Sequence, residues 1–221
     1  MDTSERAVGA QKAPGTPADG LLIAACWSCH GPVAGEILFC ATCGAVQPPG
    51  QADHFTRLGL SPSFAVDPVQ VDRAYFVRQR LLHPDRFATR TPRERALSQQ
   101  QATALNEAYE TIKDPLRRAD YLLHLRRDSV TPEGCHLVHD PALLTEALEL
   151  REALADAGNV EEVAALARRV GEDVRDCHAD LADAFAADDA ERASLLATRL
   201  KYLRKLAEDC RARRTGLAGR G

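Results

Sequence analysis

Leu81-Leu82-His83-Pro84-Asp85-Arg86-Phe87 decides how this chain is read. A polar tripeptide, His83-Pro84-Asp85, lies between two helix-like stretches, one starting near Asp67 and the next near Thr91. Pro84 ends the first stretch, because proline has no backbone N–H and restricts the residue before it. The tripeptide is therefore read as a rigid, exposed corner that displays an imidazole beside a carboxylate. As a catalytic pair it is incomplete. Histidine titrates near neutrality and a carboxylate can orient it, but no nucleophile elbow or Gly-rich pocket accompanies them. No residue at a suitable offset completes a zinc site with His83 either. A tripeptide alone means little, and its flanks supply the meaning.

Upstream, Asp67-Pro68 is a good helix start, an acid that caps free N–H groups followed by proline in the first turn. Val71, Ala74, Tyr75, Leu81 and Leu82 recur at helical spacings. Arg73, Arg80 and Arg86 form a basic flank. Before them, His54 to Leu60 reads as a short helical turn, closed by Gly59 or by Ser61-Pro62. Downstream, Thr91-Pro92-Arg93-Glu94 resembles a capping box with proline at the first helical position. The helix it opens carries Leu97, Ala104, Leu105, Ala108, Tyr109 and Ile112, and Asp114-Pro115 interrupts it. The last third predicts three helices, Pro141 to Ala157, Val160 to Ala187 with Gly171 as a weak point, and Asp189 to Cys210. Their lengths suit an antiparallel three-helix bundle. Residues 211–221 read as a frayed tail.

The 221 residues carry a formal net charge of -4, 45 % apolar and 27 % charged residues, which is ordinary for a soluble globular chain. That charge argues against wholesale nucleic-acid binding, which needs a concentrated basic surface. No apolar run approaches the length that crosses a bilayer. Residues 1–20 hold Pro, Gly, Ala and both charge signs, and read as a disordered lead-in and not as a signal peptide. Seven cysteines without an export signal point to a reducing compartment, the cytoplasm or, in a eukaryote, the mitochondrial matrix.

Four of these cysteines form two C-x-x-C pairs, Cys26-Trp27-Ser28-Cys29 and Cys40-Ala41-Thr42-Cys43, ten residues apart. Four thiolates at this spacing suit tetrahedral zinc, and a segment with so little core would draw its folding free energy from the metal. Iron fits the same sulfur cage, and redox pairs are the metal-free alternative. With no carboxylate or open ligand position in view, the site reads as structural. Gly44 fits a knuckle-like turn. Cys135, Cys177 and Cys210 are scattered and read as packing residues, with Cys210 at an exposed position.

Residues 52–125 resemble the J domain of Hsp70 co-chaperones. The resemblance rests on Asp53-His54-Phe55-Thr56-Arg57-Leu58-Gly59-Leu60, on His83-Pro84-Asp85-Arg86-Phe87, on Leu105-Asn106-Glu107-Ala108-Tyr109-Glu110-Thr111-Ile112 and on Asp114-Pro115-Leu116-Arg117-Arg118. It implies an antiparallel helical hairpin with the tripeptide at its tip. It also implies that His83, Pro84, Asp85, Arg73 and Arg80 contact an Hsp70 and promote its ATP hydrolysis, with no active site in this chain.

Two further segments narrow the resemblance to the HscB-type co-chaperones of iron–sulfur cluster assembly. These are Arg118-Ala119-Asp120-Tyr121-Leu122-Leu123-His124-Leu125 and Asp140-Pro141-Ala142-Leu143-Leu144-Thr145-Glu146-Ala147-Leu148-Glu149-Leu150-Arg151-Glu152. That likeness implies that Leu144, Thr145, Leu148, Glu149, Glu152 and Asp156, with Tyr202, hold the cluster scaffold protein. Periodicity alone would place Leu144 and Leu148 in the bundle core. The resemblance makes them exposed anchors and leaves Leu143, Ala147 and Leu150 as the buried side. The chain departs from the family pattern at Arg78 for leucine, Thr145 for a larger apolar residue, Tyr202 for phenylalanine and Arg126 for glycine.

The expected architecture is mainly α. It comprises a tail (1–20), a zinc module (21–46), a linker (47–51), a J domain (52–125), a connecting segment (126–139), a three-helix bundle (140–210) and a frayed end (211–221). The expected function is that of an adapter between an Hsp70 and an iron–sulfur scaffold, with structural zinc. No membrane and no nucleic acid are expected as partners, and self-association through the zinc module is one role open to it. A J protein with a different client, and a metal-dependent redox enzyme, are the alternatives.

Overall fold

The computed structural model describes residues 23–34, 37–128 and 140–218. The lead-in 1–20, Cys135 and most of the connecting segment 126–139 lie outside these residues. The chain divides into two units, residues 1–47 and 48–221.

In the first unit, β1 (Ile23–Ala25) pairs antiparallel with β2 (Pro32–Ala34), Ala24 standing opposite Val33. The two C-x-x-C turns repeat one set of backbone bonds. Cys26 N–H donates to Gly31 and His30 N–H to Cys26, just as Cys40 N–H donates to Ala45 and Gly44 N–H to Cys40. The fourth residue after each leading cysteine takes a left-handed conformation, His30 at φ 60° and Gly44 at φ 72°. Glycine adopts it freely, whereas histidine does so only where the turn demands it.

The second unit contains seven helices among the described residues. The helix α1 (His54–Leu58) is capped by Asp53 and closed by Gly59 at φ 66°. Asp67 caps α2 (Pro68–Leu82), and a single 3-10 turn, Pro84–Phe87, leads to α3 (Pro92–Lys113). Both bonds of the Thr91/Glu94 capping box are present. The Asp114 carboxylate accepts the N–H groups of Leu116 and Arg117 and so opens α4 (Pro115–Asp128). Asp140 and Asn159 cap α5 (Pro141–Asp156) and α6 (Val160–Ala186), and α7 (Ala190–Ala218) follows.

The helices α2 and α3 form a hairpin that packs with α1 and α4 around Phe55, Leu58, Leu82, Leu105 and Ile112. The long pair α6 and α7 packs along its length, with α5 and α4 both laid against α7. Val163, Val170, Leu181 and Leu200 are fully buried there.

Several expectations change. Gly171 does not interrupt α6. The helix α7 continues through 211–218 instead of fraying. Arg213 from this extra length donates to the carbonyls of Ala155 and Ala157 at 3.2 and 2.9 Å, which satisfies the end of α5. Cys210 is fully buried, not exposed, because it continues the inward stripe of Leu203 and Leu206. Leu81 is exposed, so the core side of α2 is narrower than its apolar pattern. Arg126 makes no loop at all. It lies inside α4, donates to the Phe185 carbonyl at 3.0 Å and pairs with Asp188 at 2.8 Å, tying α4 to the α6–α7 turn.

Candidate functional site

The tip of the α2–α3 hairpin is held from below. Ser98 of α3 donates its buried hydroxyl to the Leu82 carbonyl at 2.7 Å, which satisfies the end of α2 just before His83. Phe87 is buried and pins the 3-10 turn against α3. Higher up, Tyr75 stacks on Tyr109 at 4.1 Å between ring centres and donates to Asn106 at 2.9 Å. Asp72 accepts Tyr109 and Lys113 at 2.8 and 2.9 Å. Tyr109 and Lys113 draw the Asp72 carboxyl below its ordinary range, with the Lys113 hydrogen bond the largest cause. These contacts fix the spacing of the hairpin, so the tip is preorganised.

At the tip, His83, Pro84 and Asp85 are exposed, as are Arg73 and Arg80. The His83 ring accepts the Asp85 N–H at Nδ1, 3.3 Å away, which leaves Nε2 to carry the proton of the neutral ring. The Asp85 carboxylate lies 3.5 Å from the same Nδ1. Arg78 is half-buried. Its guanidinium covers Gly59, where an added Cβ would fall 2.0 Å from Nη2, and it donates to the Ala74 carbonyl. Burial lowers its pKa. The unusual arginine thus fills a packing position between α1 and α2.

Sequence reasoning missed part of this surface. Val69, Phe76 and Val77 are exposed, Phe76 at 51 %. Val69, Arg73, Phe76 and Arg80 follow one another at steps of four, three and four, so they share one helix face. The signal was present in the sequence as apolar residues lying off the Val71–Leu82 stripe.

Six of the carried-over positions lie on α5, and the seventh, Tyr202, lies on α7. Leu144 and Leu148 are 47 % and 58 % exposed, whereas Leu143 and Leu150 are buried and Ala147 is partly covered. Thr145, Glu149, Glu152 and Asp156 are exposed beside the two leucines. Thr145 donates its hydroxyl to the Pro141 carbonyl at 2.9 Å and so offers only its methyl group outward. Tyr202 of α7 lines a narrow crevice together with Ala147 and Arg151, which brings it beside the α5 residues. Glu146 and Arg199 clamp α5 to α7 through bonds of 2.6–3.2 Å.

The four sulfurs of Cys26, Cys29, Cys40 and Cys43 all lie within 4.8 Å of one another. Two of the separations, Cys26–Cys43 and Cys29–Cys40, are 3.7 Å. A tetrahedron with metal–sulfur bonds of about 2.3 Å has edges of about 3.8 Å, so the cage has the size that zinc requires. The thiols also show why a cation belongs there. Cys26 is pulled down to about 6, chiefly by the Cys29 N–H, and Cys40 is lowered chiefly by the Cys43 N–H. Cys29 is pushed up to about 12, because the neighbouring sulfurs outweigh the Gly31 N–H that lowers it. The sulfurs therefore cannot all ionise without a positive charge among them. The residues fit a structural zinc, bound by four thiolates with no open position. Gln47 donates to the Cys26 sulfur at 3.4 Å as an outer support.

Among known proteins, residues 139–211 match the family model described as the HSCB C-terminal oligomerisation domain. The iron-sulfur cluster co-chaperone protein HscB of Mus musculus is 35 % identical over 199 residues, covering 87 % of this chain and 83 % of that protein. The co-chaperone protein HscB homolog of Cupriavidus taiwanensis is 38 % identical over 160 residues, covering 71 % of this chain and 90 % of its own length. The crystal structure of human co-chaperone protein HscB superposes with a TM-score of 0.78 at 31 % identity, covering 87 % of this chain and 99 % of that one. The likeness runs across both the α2–α3 hairpin and the exposed α5 face, and on that identity and coverage this chain belongs to the HscB family of co-chaperones.

Proposed function

We propose that this protein is an adapter that presents an iron–sulfur cluster scaffold protein to an Hsp70 and stimulates the ATPase of that Hsp70. One observation carries the reading. A single helical unit displays two exposed surfaces of opposite chemistry. The α2 face is basic and ends at His83-Pro84-Asp85. The α5 face is acidic, with Leu144 and Leu148 at its centre.

In this reading Arg73 and Arg80 steer the hairpin onto an acidic surface of the Hsp70. Phe76 and Val77 add apolar contact beside them. His83 and Asp85 form the terminal contact, Asp85 through a charge-assisted hydrogen bond to a partner arginine. On the other surface Leu144 and Leu148 are the apolar anchors. Thr145, Glu149, Glu152 and Asp156 surround them, and Tyr202 keeps its hydroxyl in water. The exposed, unpaired setting of Leu144 and Leu148 supports anchors over core. ATP hydrolysis belongs to the Hsp70, and this chain is not an enzyme.

Zinc at Cys26, Cys29, Cys40 and Cys43 would cross-link the first unit and do no chemistry. Residues 52–125 are assigned as the J domain and 140–218 as the client-binding bundle. The match of 139–211 to an oligomerisation domain supports self-association through the bundle. No helix among the described residues is long and apolar enough to cross a membrane. The free thiols fit a reducing compartment, the bacterial cytoplasm or the mitochondrial matrix.

The test is single-turnover ATP hydrolysis by the Hsp70 of the same cell, with and without the scaffold protein. Stimulation should rise further when scaffold is added and should be abolished by His83→Gln. Stimulation indifferent to scaffold would assign the bundle a different client.

A further inference from the structure

Beside the α5 face, a cleft of about 550 Å³ opens where the J-domain helices meet α7. Its walls come from the end of α3, the start of α4, and α5 and α7, and they carry Arg117, Arg151, Lys201, Arg204 and Lys205. Arg204 is bound to Asp114 through two 2.8 Å bonds, and Lys205 pairs with Asp209 at 3.1 Å. Arg117, Arg151 and Lys201 are exposed and form no ion pair among the described residues. Against these three free cations the cleft sets two acids, Glu110 and Glu208, the latter 4.0 Å from Lys205. The chain as a whole has net charge -4, so a positive cleft is a local feature and not a reflection of composition.

The cleft is continuous with the client face. Tyr202 and Arg151 line both the cleft and the crevice between α5 and α7. A client seated on Leu144, Leu148 and Tyr202 therefore reaches the cleft without leaving the protein surface.

We infer that the cleft receives an acidic segment of the same scaffold protein that docks on the α5 face. The inference rests on the reading of that face as the client site. It adds a contact the α5 residues do not supply. Arg117 belongs to α4, so the acidic segment would bridge the bundle and the J-domain side. The client would be held in one orientation relative to the hairpin. The α5 face is itself acidic and selects a basic or apolar client patch. The cleft selects the opposite charge next to it, so the two together fix register as well as affinity.

The experiment measures binding of the apo-scaffold protein to the full chain by titration calorimetry at low and moderate salt. Arg117→Glu with Lys201→Glu should weaken binding by at least about tenfold at low salt and flatten its salt dependence. The neutral pair, Arg117→Gln with Lys201→Gln, should have a smaller effect in the same direction. Two reversals on other exposed arginines, Arg168→Glu with Arg214→Glu, change the net charge equally and should leave binding within about twofold. An equal loss from this control pair would overturn the cleft and leave only net charge. Unchanged binding by the cleft pair alongside a loss in Leu148→Ala would also overturn it, while the α5 reading stands. Unchanged binding in both would sink the α5 reading together with the cleft.

Discussion

The cysteine unit and the helical unit are held together by different physics. In residues 23–47 the buried cluster is Cys26, Val33, Cys40 and Ala45, with Trp27 and Ile37 packed against it. Two of those four buried residues, Cys26 and Cys40, belong to the sulfur cage that fits zinc, so the packing of this unit depends on what holds the cage together. The helical unit instead buries Phe55, Leu58, Leu82, Leu105, Ile112, Leu181 and Leu200 completely. Its stability comes from apolar burial, at roughly 1.5–3 kcal/mol for each large side chain. One unit is specified by the spacing of four residues and tolerates much else. The other is specified by periodicity over many residues and depends on no single one.

The largest effect that can break this contrast is metal removal. Trp27 is the single tryptophan of the chain and donates its ring N–H to the Val46 carbonyl at 2.7 Å, so its fluorescence reports on the cysteine unit alone. A strong chelator, or Cys40→Ser, should shift Trp27 emission fully to that of a solvated indole. Helical circular dichroism at 25 °C should stay within about a tenth of its starting value, because the helical core is built from its own side chains. A proportionate loss of helix would mean that the metal supports more than its own unit.

Within the helical unit, Leu150 and Leu148 are two residues apart on α5, one buried and one 58 % exposed. Leu150→Ala should cost about 2–5 kcal/mol in urea unfolding through the cavity it leaves. Leu148→Ala should change stability by no more than about 0.5 kcal/mol and yet weaken scaffold binding by roughly tenfold. Equal stability losses would return Leu148 to the core and remove it from the client surface.

The same pair shows where the sequence stopped being readable. Helix starts were legible because caps are local chemistry, and Asp67 and Thr91 with Glu94 accept the N–H groups expected of them. The sulfur cage was legible because ligand spacing is local too. Which side of α5 faces inward was not legible from periodicity, since Leu143 with Leu150 and Leu144 with Leu148 form two adjoining apolar stripes and either could face inward. Only the family resemblance separated them. The helix α7 shows the extreme case. It packs against α4, α5 and α6 and buries Ala193, Leu196, Ala197, Leu200, Leu203, Leu206 and Cys210. Steps of three and four carry that set on to Cys210, but whether the stripe is covered there depends on the end of α5 lying alongside, which Arg213 reaches and no local signal gives. Phe76 was missed for the converse reason. An apolar residue on a helix suggests core until the partner helix is known to lie elsewhere.

The smallest expected effect concerns a charged tie inside the helical unit, which apolar burial alone would not provide. Asp114 joins the α3–α4 corner to Arg204 of α7 through two 2.8 Å bonds and also caps α4. Burial raises its carboxyl pKa, but the Arg204 hydrogen bonds, with the Arg117 and Leu116 N–H groups, overcome that and hold it below the ordinary value. A carboxyl whose folded pKa is depressed stabilises the fold fully above its unfolded pKa of about 3.9, and the contribution fades as pH falls through the folded value. Asparagine keeps the cap and removes the charge. Asp114→Asn should therefore cost about 1–2 kcal/mol at pH 7, a figure kept low because Arg204 is partly in water. That gap should hold constant down to about pH 5 and close below about pH 4. Urea unfolding of both proteins from pH 7 to pH 3 checks this. A gap that persists unchanged at pH 3 would assign the effect to the shape of the corner and not to its charge. The helical unit would then be held by packing alone, and the contrast with the cysteine unit would be complete.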